Sequence, residues 1–281
     1  MQLIKEIQGV RTLVSSWRAD KDTIGFVPTM GNLHTGHLQL VEQAKRRSKR
    51  VVVSIYVNPL QFGGSNDFDT YPRTFEQDKQ RLEQVGTDML FAPSSDEMYP
   101  RTMAAATKVQ VPVLSDILCG EFRPGHFTGV ATVVNKFLNI VQPDVLYLGE
   151  KDYQQLLVVR QMVEDLAMNV QVEGVATVRE AGGLAMSSRN QYLDPEQRRV
   201  ATLLFITLDA VKKQVIESNA DFNALENEAF AALKAAGFNP EYFRICDAES
   251  LQPATRSTTH KIVLAAAWLG KARLIDNLII E

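Results

Sequence analysis

The sequence predicts an α/β chain, a doubly wound parallel sheet followed by a smaller α+β C-terminal domain. Three observations predict it. Short apolar, β-branched segments alternate with helix-patterned ones up to about Thr177, as parallel strands joined by crossover helices do. The segment Arg50 to Val57 (RVVVSIYV) is nearly continuous in apolar residues, the mark of a strand covered on both faces. After Thr177 the alternation ends, and helices and then strands follow in blocks. The division is therefore set at residues 1–177 and 178–281.

Each element has its own warrant. Ile24 to Pro28 reads as a short buried strand that ends in the turn Thr29 to Asn32. A helix starts near Thr35-Gly36 and runs to Lys49, and its basic run Lys45 to Arg50 falls where cations offset the helix dipole. Thr74 to Val85 is helical and stops at Gly86, a C-cap residue. Asp88 to Ala92 is a strand, Thr128 to Val141 a helix, Val145 to Leu148 a strand, Lys151 to Leu166 a helix and Val170 to Val175 a strand. In the second part, Pro195 to Glu217 is a helix with Asp194 as N-cap and Pro195 in its first turn. Asp221 to Ala236 is another helix. Strand-like segments follow at Tyr242 to Cys246, Lys261 to Leu269 and Ala272 to Ile280, the last two joined by Gly270-Lys271 as a tight hairpin.

Composition removes several function classes. The chain has 281 residues, 45% of them apolar, enough for a substantial core. Its 30 basic and 33 acidic residues give a net charge of −3, so no general field draws it to nucleic acid or to an anionic membrane. Cys119 and Cys246 form no CxxC pair, which leaves a zinc knuckle or a thioredoxin-type site unsupported and fits a reducing compartment. Met1 to Val10 carries Lys5 and Glu6 and lacks a signal-peptide apolar core, and no apolar run is long enough to cross a bilayer. A cytoplasmic chain with no nucleic-acid or membrane partner is expected.

Five strings can carry chemistry. In Pro28-Thr29-Met30-Gly31-Asn32-Leu33-His34-Thr35-Gly36-His37, two histidines lie three apart where a strand hands over to a helix. Strand carboxyl ends face the ligand crevice of an open α/β sheet, and a helix N-terminus favours phosphate. Imidazoles there can donate to phosphate oxygens, and Gly36 lets a nucleotide approach the backbone. Two structural histidines, or a metal pair lacking a third ligand nearby, are the other readings. No P-loop and no dinucleotide-type glycine fingerprint competes. The second string, Asn58 to Gly63 (NPLQFG), follows the next strand, and uncharged Gln61 can both donate to and accept from a substrate bearing hydroxyls and a carboxylate; a polar turn at Pro59 is the plainer reading.

The third string, Arg123-Pro124-Gly125-His126-Phe127-Thr128-Gly129, puts a cation and an imidazole before a helix. They can meet phosphate or carboxylate, or equally staple a loop or a subunit contact. The fourth, Gly149-Glu150-Lys151-Asp152-Tyr153-Gln154-Gln155, places Lys151 in a first helical turn, where the dipole disfavours a cation unless an anion is bound. Gln155, four residues on, shares its helix face. The fifth, Ala185-Met186-Ser187-Ser188-Arg189-Asn190, follows Gly182-Gly183 and reads as a mobile loop with hydroxyls and a guanidinium suited to phosphates, or else as a charged linker.

The H-x-G-H string resembles the nucleotide-binding signature of the adenylate-forming nucleotidyltransferase superfamily. The strings PTMGNLHTGH, NPLQFG, RPGHFTGV, LGEKDYQQ and GLAMSSRN, in this order from Pro28 to Asn190, resemble the pantothenate synthetase (pantoate–β-alanine ligase) family over nearly the whole chain. The resemblance implies a Rossmann-like domain over 1–177 that binds ATP and pantoate, and a lid over 178–281. It implies a reaction in which ATP, (R)-pantoate and β-alanine give pantothenate, AMP and pyrophosphate through a pantoyl-adenylate, with Mg2+ on the phosphates, in a homodimer. By the same resemblance His34 and His37 contact the phosphates, Lys151 stabilises the α-phosphate, and Ser187 and Arg189 hold the outer phosphates. Pro28, Thr29, Met30, Gly31, Gly36, Gly149, Glu150, Asp152, Met186 and Ser188 would line the nucleotide pocket, with Val178 near the adenine. Gln61 and Gln155 would hold pantoate, with Asn58, Arg123 and His126 on the substrate side. Thr35 stands where related strings often carry an apolar or acidic residue, and its hydroxyl suits a helix cap.

Rival readings stay in view. An adenylyltransferase acting on a phosphorylated cofactor precursor shares H-x-G-H but has no need of Gln61 and Gln155. A fragment of an aminoacyl-tRNA synthetase needs a basic surface that the charge balance withholds. A non-catalytic nucleotide-binding module would make no AMP.

Overall fold

A computed structural model describes residues 1–63, 67–217 and 220–281. They form two compact units: residues 1–150 with 155–176, and residues 151–154 with 177–281.

In chain order the first unit is built from β1 (Gln2–Ile4), α1 (Ile7–Ala19), β2 (Ile24–Thr29), α2 (Thr35–Arg47), β3 (Arg50–Ile55), α3 (Asp67–Thr70), α4 (Phe75–Gln84), β4 (Met89–Phe91), α5 (Ser95–Met98), α6 (Cys119–Phe122), α7 (His126–Val141), β5 (Val145–Gly149), α8 (Tyr153–Asp165) and β6 (Gln171–Val175). The sheet order among the described residues is β1-β4-β3-β2-β5-β6, and every pairing is parallel. From β2 the chain builds outward through β3 to β4, then returns to lay β5 on the other side of β2. The order therefore reverses between β2 and β5. At such a switch point the connections leave in opposite directions and open a crevice at the strand carboxyl ends.

The core explains the strand assignments. Val51, Val52 and Val53 of β3 are all buried, so the strand is covered on both faces as its composition predicts. Phe26 of β2 is fully buried with its ring edge-on to Phe137 of α7, centroids 5.6 Å apart. Phe26→Ala would cost about 3–5 kcal/mol in lost transfer energy and cavity. The basic run ends α2 as expected. Lys45 Nζ donates to Val85 O at 2.7 Å, Arg47 pairs with Glu173, and Arg50 pairs with Asp22 at 2.7 Å.

The N-terminal pair β1 and α1 has no counterpart in the sequence reading. Gln2–Ile4 is short and mostly exposed, so its strand character comes from pairing with β4 rather than from an apolar pattern. Helix α1 buries Val10, Val14 and Trp17 along one stripe. The four-residue helices α3, α5 and α6 likewise have no counterpart, and further differences are boundary shifts. Helix α2 ends at Arg47 and β3 at Ile55, while α7 begins at His126 rather than Thr128, with Gly125 at φ 78° as its N-cap.

The second unit contains α9 (Pro195–Glu217), α10 (Phe222–Ala235), β7 (Asn239–Asp247), β8 (Lys261–Leu269) and β9 (Ala272–Ile280). Its strands form an antiparallel sheet in the order β7-β8-β9. Leu204, Leu208 and Val211 of α9 pack with Phe243, Val263 and Leu274 of the sheet in one core. Asp194 caps α9 as predicted, its Oδ1 accepting from Glu196 N at 2.9 Å and Gln197 N at 2.8 Å. Asp221 likewise accepts from Asn223 N at 3.1 Å to start α10. Gly270 turns the β8–β9 hairpin at φ 56°.

Candidate active site

At the carboxyl end of β2, the Thr29 hydroxyl donates to Ser54 O at 2.7 Å and accepts from Gly31 N at 3.3 Å. Gly31 sits at φ 83°, and a Cβ there would come within 3.2 Å of both Asp78 and Ile55. The chain then enters α2. The N-cap is His34, not Thr35, which occupies the first helical position. His37 Nδ1 accepts from the main-chain N–H of His34 at 3.3 Å, and the two rings lie with centroids 4.0 Å apart. Because Nδ1 is the acceptor, the proton of the neutral His37 ring is on Nε2. The ring is thus a donor at the N-terminus of α2, where helix geometry leaves backbone N–H groups short of partners.

This turn is held by a residue that the sequence reading missed. Asp78 of α4 is 0% exposed. Its carboxylate accepts from Asn32 N and Leu33 N, each at 2.8 Å, and from the Thr74 hydroxyl at 3.0 Å. Arg81 of the same helix donates to Leu33 O. A signal was present: Phe75, Asp78 and Leu82 share a helix face, and a carboxylate on an apolar face must find donors. Beside the turn lies a cavity of about 350 Å³ lined by Met30, Gly31, Ile55, Tyr56, Thr74 and Asp78 among others.

The NPLQFG string is a 3-10 turn, Pro59–Phe62, closed by Gly63 at φ 57°. Asn58 is 1% exposed. Its amide donates to Gly129 O at 3.0 Å and lies 3.4 Å from Gln61 Oε1, while its own oxygen accepts from Tyr99 Oη at 3.1 Å. Gln61 is buried, with Nε2 against Met30 Sδ. Helix α7 presses directly on this turn, since a Cβ on Gly129 would lie 2.5 Å from Gln61 N. Burial of Tyr56 and Tyr99 behind the turn pushes both phenols up from their usual range. The structure thus brings Met30, Asn58, Gln61, Arg123 and His126 into one cluster in the first unit.

Beta strand 5 ends at Gly149, where an added Cβ would meet nothing within 4 Å, so its backbone is open to approach. The residues after it correct the sequence reading. Glu150–Asp152 is a 3-10 turn and α8 begins only at Tyr153. Lys151 is therefore not in the first turn of an α-helix, and it shares no continuous α-helical face with Gln155. The 3-10 turn replaces the expected helix start because Lys151–Gln154 pack with the second unit. Asn277 Nδ2 of β9 donates to Lys151 O at 3.0 Å, and Tyr153 Oη donates to Ala248 O at 3.0 Å. The Lys151 side chain is 17% exposed and its ammonium stands 3.6 Å from Asp152 Oδ2.

The fifth string is also better ordered than a mobile, Gly-flanked loop. Arg179 and Ala185 form an antiparallel bridge, and Met186 N donates to Val178 O at 2.9 Å. That contact joins two of the residues expected to bind the nucleotide. Arg179 makes a bidentate pair with buried Asp276, at 2.5 and 3.0 Å, and its guanidinium stacks over Phe205 at 4.3 Å. Asn190 ties the loop to Glu180 at 2.8 Å and to Ala185 O at 3.1 Å. Ser187 then starts a 3-10 turn, Ser188–Tyr192, its Oγ accepting from Arg189 N at 3.2 Å. A larger cavity in this unit, about 650 Å³ around Arg244 and Glu226, is lined by none of the expected site residues.

Among the described residues no group of three or more His, Cys, Asp or Glu is placed to hold a metal ion, and no helix is long and apolar enough to cross a membrane. The first unit supplies imidazole donors, open glycine backbone and a buried, uncharged amide, and the second carries an ammonium donor.

Comparison with known proteins agrees over the same span. The Pantoate-beta-alanine ligase family model matches residues 2–279. The chain is 53% identical over 272 residues to the pantothenate synthetase of Shewanella sp. strain ANA-3, covering 97% of this chain and 96% of that one. The crystal structure of pantothenate synthetase from Thermus thermophilus matches with a TM-score of 0.92 at 45% identity, covering 99% of each chain. That of pantoate-beta-alanine ligase from Francisella tularensis, complexed with beta-gamma ATP and beta-alanine, matches with a TM-score of 0.80 at 34% identity, covering 99% of this chain and 97% of that one. With sequence, fold and span in agreement, this chain belongs to the pantoate–β-alanine ligase family.

Proposed function

We propose that the chain condenses (R)-pantoate with β-alanine, using ATP and releasing AMP and pyrophosphate. The observation that carries the reading is the start of α2, where His37 Nδ1 accepts from His34 N–H, which puts the ring hydrogen on Nε2, at the carboxyl end of a switch-point strand. A developing phosphate charge is best met by such fixed donors.

In the first step a pantoate carboxylate oxygen attacks the α-phosphorus, and the bond to the bridging oxygen of pyrophosphate breaks. His34 and His37 donate to phosphate oxygens, and Lys151 compensates the charge that moves onto the leaving pyrophosphate. Ser187 and Arg189 hold the outer phosphates, and Ser188 also binds the nucleotide. Pro28 to Gly31, Gly36, Gly149, Glu150, Asp152, Val178 and Met186 form the nucleotide's surroundings. In the second step the β-alanine amine attacks the acyl carbon of pantoyl-adenylate, loses a proton, and AMP leaves. Gln61 and Gln155 hold pantoate by hydrogen bonds alone, which orients the carboxylate without neutralising it as a nucleophile. Positioning of this kind is most of what phosphoryl transfer asks of a protein.

Mg2+ fits the donor set only as an ion carried by the nucleotide: no carboxylate cage is present among the described residues, and Mg2+ ordinarily binds through substrate phosphates and water. It would neutralise charge on the phosphate oxygens. The acyl-adenylate is labile to water and needs shielding, so the second unit, which carries Lys151, Ser187 and Arg189, is assigned the covering role. A cytoplasmic homodimer completes the reading.

The test is pantoate-dependent exchange of labelled pyrophosphate into ATP with β-alanine left out. Exchange establishes a reversible adenylate. Its absence, with AMP formed once β-alanine is added, would replace the two-step path by a concerted one. No turnover in either case would remove pantoate as the substrate.

A further inference from the structure

The structure assigns Arg123 and His126 to a positioning relay that holds Gln61, rather than to contact with substrate. The argument is one of donors and acceptors. His126 Nδ1 lies 2.7 Å from Gln61 O, and His126 Nε2 lies 3.1 Å from Arg123 Nη1. A carbonyl oxygen only accepts, so Nδ1 carries the proton. A guanidinium only donates, so Nε2 carries a lone pair. The two partners together leave one form of the ring, neutral with hydrogen on Nδ1. A second proton would have to sit on Nε2, facing the Arg123 cation.

The ring is thus the neutral Nδ1–H tautomer, opposite to the Nε2–H form set for His37 by His34 N–H. What it holds is the backbone of a buried residue whose side chain faces Met30. From the other side Asn58 binds Gly129 O and approaches Gln61 Oε1, and Gly129 itself must lack a Cβ for α7 to lie against the Gln61 backbone. The turn is gripped at its carbonyl by the first residue of α7 and at its floor by the next turn of the same helix. This inference rests on the proposed role of Gln61 in holding pantoate.

The experiment combines kinetics with nitrogen NMR on the full chain, which has only 4 histidines to resolve. His126→Ala is expected to raise the KM for pantoate about tenfold to a hundredfold, the cost of misplacing a binding group by a fraction of an ångström to an ångström, with the KM for ATP within about twofold. His126→Asn, whose amide can donate where Nδ1 does, is expected to recover most of that loss. In the wild-type protein the His126 ring should show a protonated Nδ1 and an unprotonated Nε2, and Arg123→Leu should keep the hydrogen on Nδ1 while Nε2 loses its donor. An unchanged pantoate KM in His126→Ala, or an Nε2–H ring in the wild type, overturns the relay. If the wild-type chain shows no pantoate-dependent exchange, the proposed function falls. The nitrogen spectrum then still decides the relay by itself, and it does so even where the alanine variant fails to fold.

Discussion

Replacing Asp78 tests whether the turn before α2 is held from α4. The carboxylate is fully buried and takes hydrogen bonds from Asn32 N, Leu33 N and the Thr74 hydroxyl at 2.8, 2.8 and 3.0 Å. In Asp78→Asn one oxygen remains, so one main-chain N–H keeps an acceptor while the other faces an amide NH2. Hydrogen bonds to a charged group contribute about 1.5–3 kcal/mol, and a buried donor left unsatisfied costs about 1–3 kcal/mol. The expected loss is about 2–4 kcal/mol. Since whole domains are stable by only about 5–15 kcal/mol, the variant should fold but unfold at clearly lower urea. Asn32 and Leu33 lead directly into His34, so the histidines lose their placement, and a shift of about 1 Å costs roughly a hundredfold in rate. Pyrophosphate exchange should fall by about tenfold to a hundredfold at temperatures where the variant is fully folded. Thr74→Val removes only one neutral donor and should cost about 1 kcal/mol with little loss of exchange. If Asp78→Asn unfolds within about 0.5 kcal/mol of the wild type and exchanges normally, the clamp does not exist as described.

His37→Ala and Lys151→Ala should each lower turnover by roughly two to three powers of ten, the 3–4 kcal/mol or so that one such donor supplies to a developing charge; near-normal turnover in both would refute the site. Asn277→Ala releases the carbonyl of Lys151, a bond of about 0.5–1.5 kcal/mol, and should slow turnover roughly threefold to tenfold with the KM for β-alanine unchanged; an effect confined to that KM would contradict it. Cys246 gives a pH prediction. Burial, reinforced by Glu226, pushes its thiol from 9.0 to about 12. Above pH 9 the unfolded chain therefore loses a proton that the folded chain keeps, and this contribution to stability declines as pH rises from 9.0 toward about 12. The slope is about 1.4 kcal/mol per pH unit. Urea titrations at pH 8 and pH 10.5 should show Cys246→Ser, which has no such proton, closing its stability gap to the wild type; a constant gap would show that the thiol titrates alike in both states.

What the sequence shows and what it hides separates along a physical line. Strands β2, β3 and β5 are legible because a parallel strand buried on both faces must be apolar throughout, and β8–β9 because a hairpin needs a residue that tolerates φ 56° at Gly270. The ends of these strands are legible for the same reason, so the strings that follow β2, β3 and β5 could be placed at the crevice. Strand β1 is hidden because three residues carry no period, and its strand form depends on β4 alone. Lys151 was misplaced because the local pattern of 151–166 is helical throughout, while packing of 151–154 with the second unit converts the first turn to a 3-10 form. Tertiary context overrode local propensity there.

Asp78, Asn277 and the Arg123–His126 pair share a different cause. Each acts on a main-chain N–H or C=O that is distant in sequence, and backbone groups are the same at every residue. No string can therefore advertise the partner, and only an out-of-place polar residue hints at it, as Asp78 does between Phe75 and Leu82 on one helix face. The distinction has an experimental consequence. A motif residue such as Lys151 presents its side chain to the ligand, so truncating it should lower rate with little change in stability. A residue that holds backbone contributes to the folded state whether or not ligand is present, so truncating it should lower both together. Plotted as stability loss against the logarithm of the rate loss, the two kinds should separate, with Lys151 near zero stability loss, His37 displaced by no more than its bond to His34 N–H, and Asp78 well away from it. If His37→Ala proves as destabilising as Asp78→Asn, the start of α2 is held by its histidines and not by α4, and the division made here between chemical and positioning residues fails at that turn.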